Sequence, residues 1–236
     1  MYKRLFSPII LGISPIFIVL FVVFALLFHA NPQWDIEFSN LFYTPSDDFY
    51  MADRWWAYGI YRGVHIATAA VIAILALFII ATVLTHNDKL FSITRKAAIY
   101  MLIVMILGPG LTVNTLLKDN VGRARPAHVT EFGGDLIFTP AFEISNQCDN
   151  NCSFVSGHAA FGFYWVALAL LATSAVWKRR WIALTAVLGI GIGLVRVIQG
   201  RHFLSDVIFS FFFVYAVATI VYWIMYGRYK SVENRQ

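Results

Sequence analysis

The sequence predicts an all-α integral membrane protein folded as a bundle of six transmembrane helices, and three observations lead to that class. Of 236 residues, 59% are hydrophobic and only 13% are charged, far from the balance of a soluble domain. The apolar residues gather into six runs, each near the ~20 residues with which an α-helix crosses a hydrocarbon core of roughly 30 Å. Basic residues concentrate at alternate ends of those runs.

The runs lie near 8–29, 63–85, 97–117, 159–177, 181–198 and 204–226. Lys3 and Arg4 precede the first in the manner of a secretory signal, but the run is too long and Phe28-His29-Ala30 is a poor cleavage site. It is therefore expected to remain as the first helix, kinked at its start by Pro8 and Pro15. The third run ends at Lys118, and the connection of about 118–158 is the longest polar stretch. The fourth follows Ser156-Gly157-His158, and the fifth follows Lys178-Arg179-Arg180 and carries Gly189, Gly191 and Gly193, small residues that favour close helix packing. The last opens just after His202. With no internal repeat, low-complexity linker or detached soluble stretch, residues 1–236 read as one transmembrane domain.

Orientation follows from the placement of Lys and Arg. One set of ends carries eleven of the eighteen: Lys3, Arg4, Lys89, Arg95, Lys96, Lys178, Arg179, Arg180, Arg228, Lys230 and Arg235. Both termini are expected in the cytoplasm, which with six crossings puts 30–62, 118–158 and 196–203 together on the far, non-cytoplasmic face of the membrane. The net charge of +5 is mostly of this topogenic kind, and no soluble segment presents a basic patch with interleaved aromatics, so nucleic acid is excluded as a partner. Trp34, Trp55, Trp56, Trp177, Trp181, Tyr222 and Trp223 read as interfacial anchors. His29, His65, His86 and His128 read as interfacial or loop residues.

Three polar clusters fall on that shared face, and charged groups at membrane depth tend to mark reaction centres or pathways. Lys118 and Arg125-Pro126 offer a compact ammonium and a planar guanidinium to one anion, a pairing suited to phosphate; snorkelling to the interface is the alternative. Ser156, Gly157 and His158 stand at a predicted helix N-terminus, where free amides and the dipole attract an anion, although Ser156 also suits simple N-capping. His202 and Asp206 are four apart on one helical face, with Arg196 six residues before the histidine. A carboxylate so placed fixes an imidazole's tautomer and stabilises its cation. Arg123 and Arg201 touch either a second phosphate or only the lipid surface.

The spacing K-x6-R-P, then S-G-H, then R-x5-H-x3-D resembles the type 2 phosphatidic acid phosphatase (PAP2) superfamily, which also includes vanadium haloperoxidases. Two positions depart from the family pattern: Val155 stands in place of Pro and Val195 in place of Ser. The resemblance implies that Lys118, Arg125 and Arg196 hold phosphate with Ser156 and the Gly157 amide. It further implies that His202 is the nucleophile, Asp206 its orienting group and His158 the general acid. No cofactor is required, because fixed cations and amides neutralise the phosphoryl group, and no metal site is expected. Gly108 to Asn114, Gln147 to Phe154 and Gln199 to Asp206 are similar to bacterial lipid A phosphatases, particularly the 4′-phosphatases.

Cys148 and Cys152 are the only cysteines and share one loop on the inferred periplasmic side. They are able to close a disulfide in an oxidising compartment; a free or metal-binding pair is the alternative, lacking the rest of a zinc set. The reading is a metal-independent phosphatase acting on a phosphomonoester of a membrane lipid, with lipid A as leading substrate. Undecaprenyl diphosphate, phosphatidylglycerophosphate and transfer of the phosphoryl group to another lipid use the same residues. A transporter of an anionic lipid would instead show inverted repeats or matching broken helices, which the sequence lacks.

Overall fold

A computed structural model describes residues 12–46, 48–90 and 93–227. Lys3, Arg4, Pro8, Arg228, Lys230 and Arg235 lie outside the described residues, as do both termini. Among the described residues the chain is mostly helical, with two antiparallel pairs of two-residue strands, 43–44 with 48–49 and 89–90 with 93–94. Among the described residues four helices are long and apolar enough to cross a membrane, or five if one bent pair counts as a single span.

That bent pair is α1 (Pro15–Ala30) and α2 (Gln33–Asn40), set 80° apart. Pro15 does not kink α1: it is the first helical residue, where its fixed φ and missing N–H suit the position, and the Phe17 amide bonds to Ser14 in front of it. The break comes at Asn31-Pro32, since a residue before proline is driven out of the helical region. Phe17, Phe21, Phe24 and Phe28 recur at helical spacing and pack on Phe209 and Phe212. The bend then carries α2 across the end of the bundle.

α3 (Trp55–Leu84) begins eight residues before the expected apolar run and buries only Ala57, Val64 and Thr82. Its aromatic first turns extend it into the interface. Next, α4 (Arg95–Met105) opens on a Thr94 cap and runs into a wider π-helical stretch, Ile106–Leu117, and a final turn, α5 (Lys118–Val121). Pro109 lies inside that stretch and cannot donate to the ladder. Two carbonyls of the stretch accept from side chains: Asn114 Nδ2 donates to Pro109 O at 2.8 Å, and the Thr112 hydroxyl to Leu107 O at 2.7 Å. Gly122 ends the segment with φ 67°, and a Cβ there would strike the Ser145 carbonyl.

The fourth apolar run is shorter than expected. It forms α6 (Gly157–Tyr164) and α7 (Val166–Leu171), and the next helix, α8 (Ala175–Ile198), starts before Lys178, not after Arg180. A stretch buried on nearly all sides has no lipid thickness to match, and the long basic side chains of α8 reach water from within a helix. α6 packs on α8 at Gly162 and Gly189, while Gly193 admits Val207 of α9 (Leu204–Tyr222); Gly191 faces open space and takes no part. α9 ends in a π turn at Trp223–Gly227.

Candidate active site

The three sequence clusters meet at one cavity of about 830 Å³. Lys118, Arg125, His158, Arg196 and His202 line its polar end, together with the Gly157 backbone. Val64, Ile72, Ile106, Leu111 and Phe161 give the rest a largely apolar wall between α3 and the π-helical stretch, with Thr68, Asn114 and Thr115 among them.

Each polar group is delivered by a local feature. The turn at Gly122 reverses the chain, so Lys118 and Arg125 approach one point, Asn151: Lys118 Nζ donates to its Oδ1 at 3.0 Å and Arg125 Nη2 to its carbonyl at 2.6 Å. Asn151 belongs to a five-residue ring in which Cys148 and Cys152 are joined by a disulfide, their Cα atoms 5.7 Å apart. Ser156 caps α6, accepting from the Ala159 amide at 3.4 Å. Its own backbone is tied to α9, the Ser156 amide donating to Asp206 O and the Ser210 hydroxyl to Ser156 O. Arg196, in the last turn of α8, donates to Gln199 Oε1 at 2.5 Å and lies over the Tyr61 ring at 5.1 Å. His158 stacks on Tyr61 and meets His65 edge-on, with its Nε2 buried and without a protein partner.

His202 is 1% exposed. Its Nδ1 lies 2.8 Å from the Ser153 carbonyl, which is an acceptor only, so Nδ1 carries the proton and Nε2 keeps its lone pair. Burial pulls the imidazole down to about 3, Lys118 and Arg125 adding to the effect and Asp206 opposing it. A neutral, correctly tautomerised imidazole is the form required of a nucleophile.

Asp206 is engaged differently from expectation. Its Oδ2 is 3.5 Å from His202 Nδ1 and accepts instead from the Ser153 hydroxyl at 2.5 Å and the Phe203 amide at 2.8 Å. Its Oδ1 accepts from Arg123 at 2.7 Å. Arg123 therefore touches neither a second phosphate nor lipid: it is wholly buried, and its Nη2 pairs with Asp35 at 2.8 Å. Arg201 is half-buried and does not line the cavity.

Sequence reasoning missed Asp35, Tyr61, His65, Asn151 and Ser153. Asn151 and Ser153 carried a signal, their places on either side of Cys152 in the 147–154 run. Among the described residues no three His, Cys, Asp or Glu side chains group as a metal site would need.

The apolar helical scaffold and this basic, histidine-bearing cavity define a multi-pass membrane protein with a site suited to an anion. Residues 95–230 match the PAP2 superfamily. The lipid A 4′-phosphatase of Francisella tularensis subsp. novicida (strain U112) is 39% identical over 219 residues, covering 87% of this chain and 91% of the relative. That of Rhizobium leguminosarum is 30% identical over 195 residues, 77% of this chain and 83% of the relative. A lipid A 1-phosphatase of Rhizobium etli is 38% identical over 113 residues, 45% of this chain and 41% of the relative. No solved structure matches significantly. The chain belongs to the PAP2 superfamily, and its activity is that of a phosphoric monoester hydrolase acting in a membrane.

Proposed function

We propose that this protein removes the 4′-phosphate of lipid A at the periplasmic face of a bacterial inner membrane, as a six-crossing enzyme with both termini in the cytoplasm. The observation that carries the reading is the cavity itself: three cations and three histidines, His65, His158 and His202, line a space whose remaining walls are largely apolar, as a phosphate carried on a lipid requires. The similarity to two lipid A 4′-phosphatases over most of both chains supports the substrate. In support of that orientation, Arg95 and Lys96 open the helical run that ends at Lys118, and Arg180 stands near the start of the helix that ends beside Arg196, in keeping with an excess of basic residues on cytoplasmic ends.

In the proposed reaction Lys118, Arg125 and Arg196 neutralise the phosphate oxygens with the Gly157 amide, while Ser156, buried as the cap of α6, holds that N-terminus in place. His202 Nε2 attacks phosphorus, the P–O bond to the sugar breaks, and His158 gives a proton to the departing oxygen. The phosphate dianion supplies the counter-charge that a protonated His158 needs beside Lys118 and Arg196. Water then attacks the phosphohistidine, His158 takes back a proton, and inorganic phosphate leaves. No metal takes part, because the fixed cations already supply the charge. The disulfide steadies the 148–152 ring without entering the chemistry.

The test is incubation of purified protein with lipid A, phosphatidylglycerophosphate and undecaprenyl diphosphate, reading phosphate release and product mass. Loss of the 4′-phosphate from lipid A with slower turnover of the others is expected. Preferential release from either alternative lipid overturns the substrate assignment. Transfer of label to a second lipid, with no free phosphate, overturns the hydrolysis.

A further inference from the structure

The geometry around Arg123 points to Asp35 as a positioning residue that keeps Asp206 an effective anion for His202; we infer this on the reading of His202 as nucleophile. Asp206 is paired directly with a cation at 2.7 Å, the Arg123 guanidinium. Taken alone, that pair is neutral and offers an imidazole little more than a dipole. Arg123, however, is shared. Its Nη2 donates to Asp35 Oδ2 at 2.8 Å, while Nη1 serves Asp206 and the Ser205 hydroxyl. One positive charge thus stands between two carboxylates, and the group carries a net charge of minus one.

Asp35 is held as a carboxylate. Burial alone disfavours that form, but three donors converge on its two oxygens: the Arg123 guanidinium, the Ser205 amide at 2.8 Å and the Ser205 hydroxyl at 2.5 Å. Arg123 can only donate to that hydroxyl, which leaves the hydroxyl proton free for Asp35 Oδ2. Arg123 is fastened on its other edges by Thr139 O at 2.7 Å and by the Phe203 ring at 4.3 Å, so it cannot swing wholly to either acid. All three charged side chains are at most 1% exposed, where screening by water is weak.

As His202 accepts the phosphoryl group it develops positive charge, and the surplus negative charge of the trio stabilises that change through Asp206 Oδ2, 3.5 Å from Nδ1. Asp35 never touches substrate. It arrives from the far side of the 80° bend between α1 and α2, which places it against residues 88 and 170 positions later.

The experiment compares Asp35→Asn, which keeps shape and loses charge, with Asp35→Glu, which keeps charge and loses fit. Phosphoenzyme formation is followed by rapid mixing and normalised to active sites. Asp35→Asn is expected to slow it by about tenfold, within the range of coupling between adjacent groups, with KM changed less than about twofold because substrate contacts are intact. Asp35→Glu recovers most of the loss. Asp35→Asn combined with Arg123→Met restores the net charge and is expected to run at least as fast as Asp35→Asn alone, which keeps the inference testable if that single variant folds poorly. A purely structural role predicts the reverse order: asparagine better tolerated than glutamate, and the double variant worst. That order, or a wild-type rate in Asp35→Asn, overturns the inference alone, whereas absence of any phosphoenzyme in the wild type overturns it together with the functional reading.

Discussion

Replacing Asp206 by asparagine separates two jobs that a carboxylate beside a histidine usually performs together. If Asp206 alone set the tautomer of His202, the loss would approach the roughly 10⁴-fold seen where an orienting aspartate is so replaced. Here the Ser153 carbonyl holds the Nδ1 proton at 2.8 Å, closer than the 3.5 Å to Asp206, and it survives the substitution. What disappears is one charge-assisted contact to the developing cation, about 1.5–3 kcal/mol, or roughly a 10- to 150-fold fall in kcat. Stability falls more, because Arg123 keeps only Asp35 as a charged partner; removing one member of a buried ion pair costs about 3–5 kcal/mol. The assay is therefore kcat per active site, counted by phosphoenzyme burst, alongside thermal unfolding in detergent. A folded Asp206→Asn enzyme reduced by 10⁴-fold would refute the assignment of the tautomer to Ser153.

Removing His202 itself should abolish the covalent intermediate, whereas His158→Ala should slow its formation by about 10²–10⁴-fold, and by less with a leaving group that needs no proton; phosphate mapped to His158 or Ser156 contradicts these roles. The pKa of His202 is lowered to about 3 from 6.5, so between those values the unfolded chain binds a proton that the folded chain does not. Stability should therefore drop as pH falls from 6.5 toward 3, by up to about 1.4 kcal/mol per unit, and more shallowly in His202→Asn; equal slopes count against a neutral buried imidazole. Reducing the Cys148–Cys152 bond, or replacing Asn151 (φ 51°) by glycine, should raise KM about two- to tenfold with kcat retained, through loss of hydrogen bonds that align Lys118 and Arg125. Unchanged KM in both would show that the ring does not align them. Turnover should persist in excess chelator, and complete loss restored by a divalent ion would require another mechanism.

Much of this protein is legible in the sequence because lipid imposes strict rules on a chain. Apolar runs of span length, cations at alternate ends and polar residues that apolar surroundings do not explain are local signals, and Lys118, Arg125, His158, Arg196 and His202 could be named from them. The helix boundaries were less legible where tertiary packing replaces lipid: the buried α6–α7 segment is short, and α8 starts among its own basic residues. The Asp35–Arg123–Asp206 group was not legible at all. Asp206 stands in a motif and Arg123 reads from the sequence as a stray cation, but Asp35 carries no signal, and the arginine is more than 80 positions from either acid. Only the bend at Pro32 and the reversal at Gly122 bring them together, and only burial turns their proximity into a strong interaction. In the same way the sequence pairs His202 with Asp206 by helical spacing, but which oxygen holds the Nδ1 proton was decided by a backbone carbonyl, which no residue type can reveal.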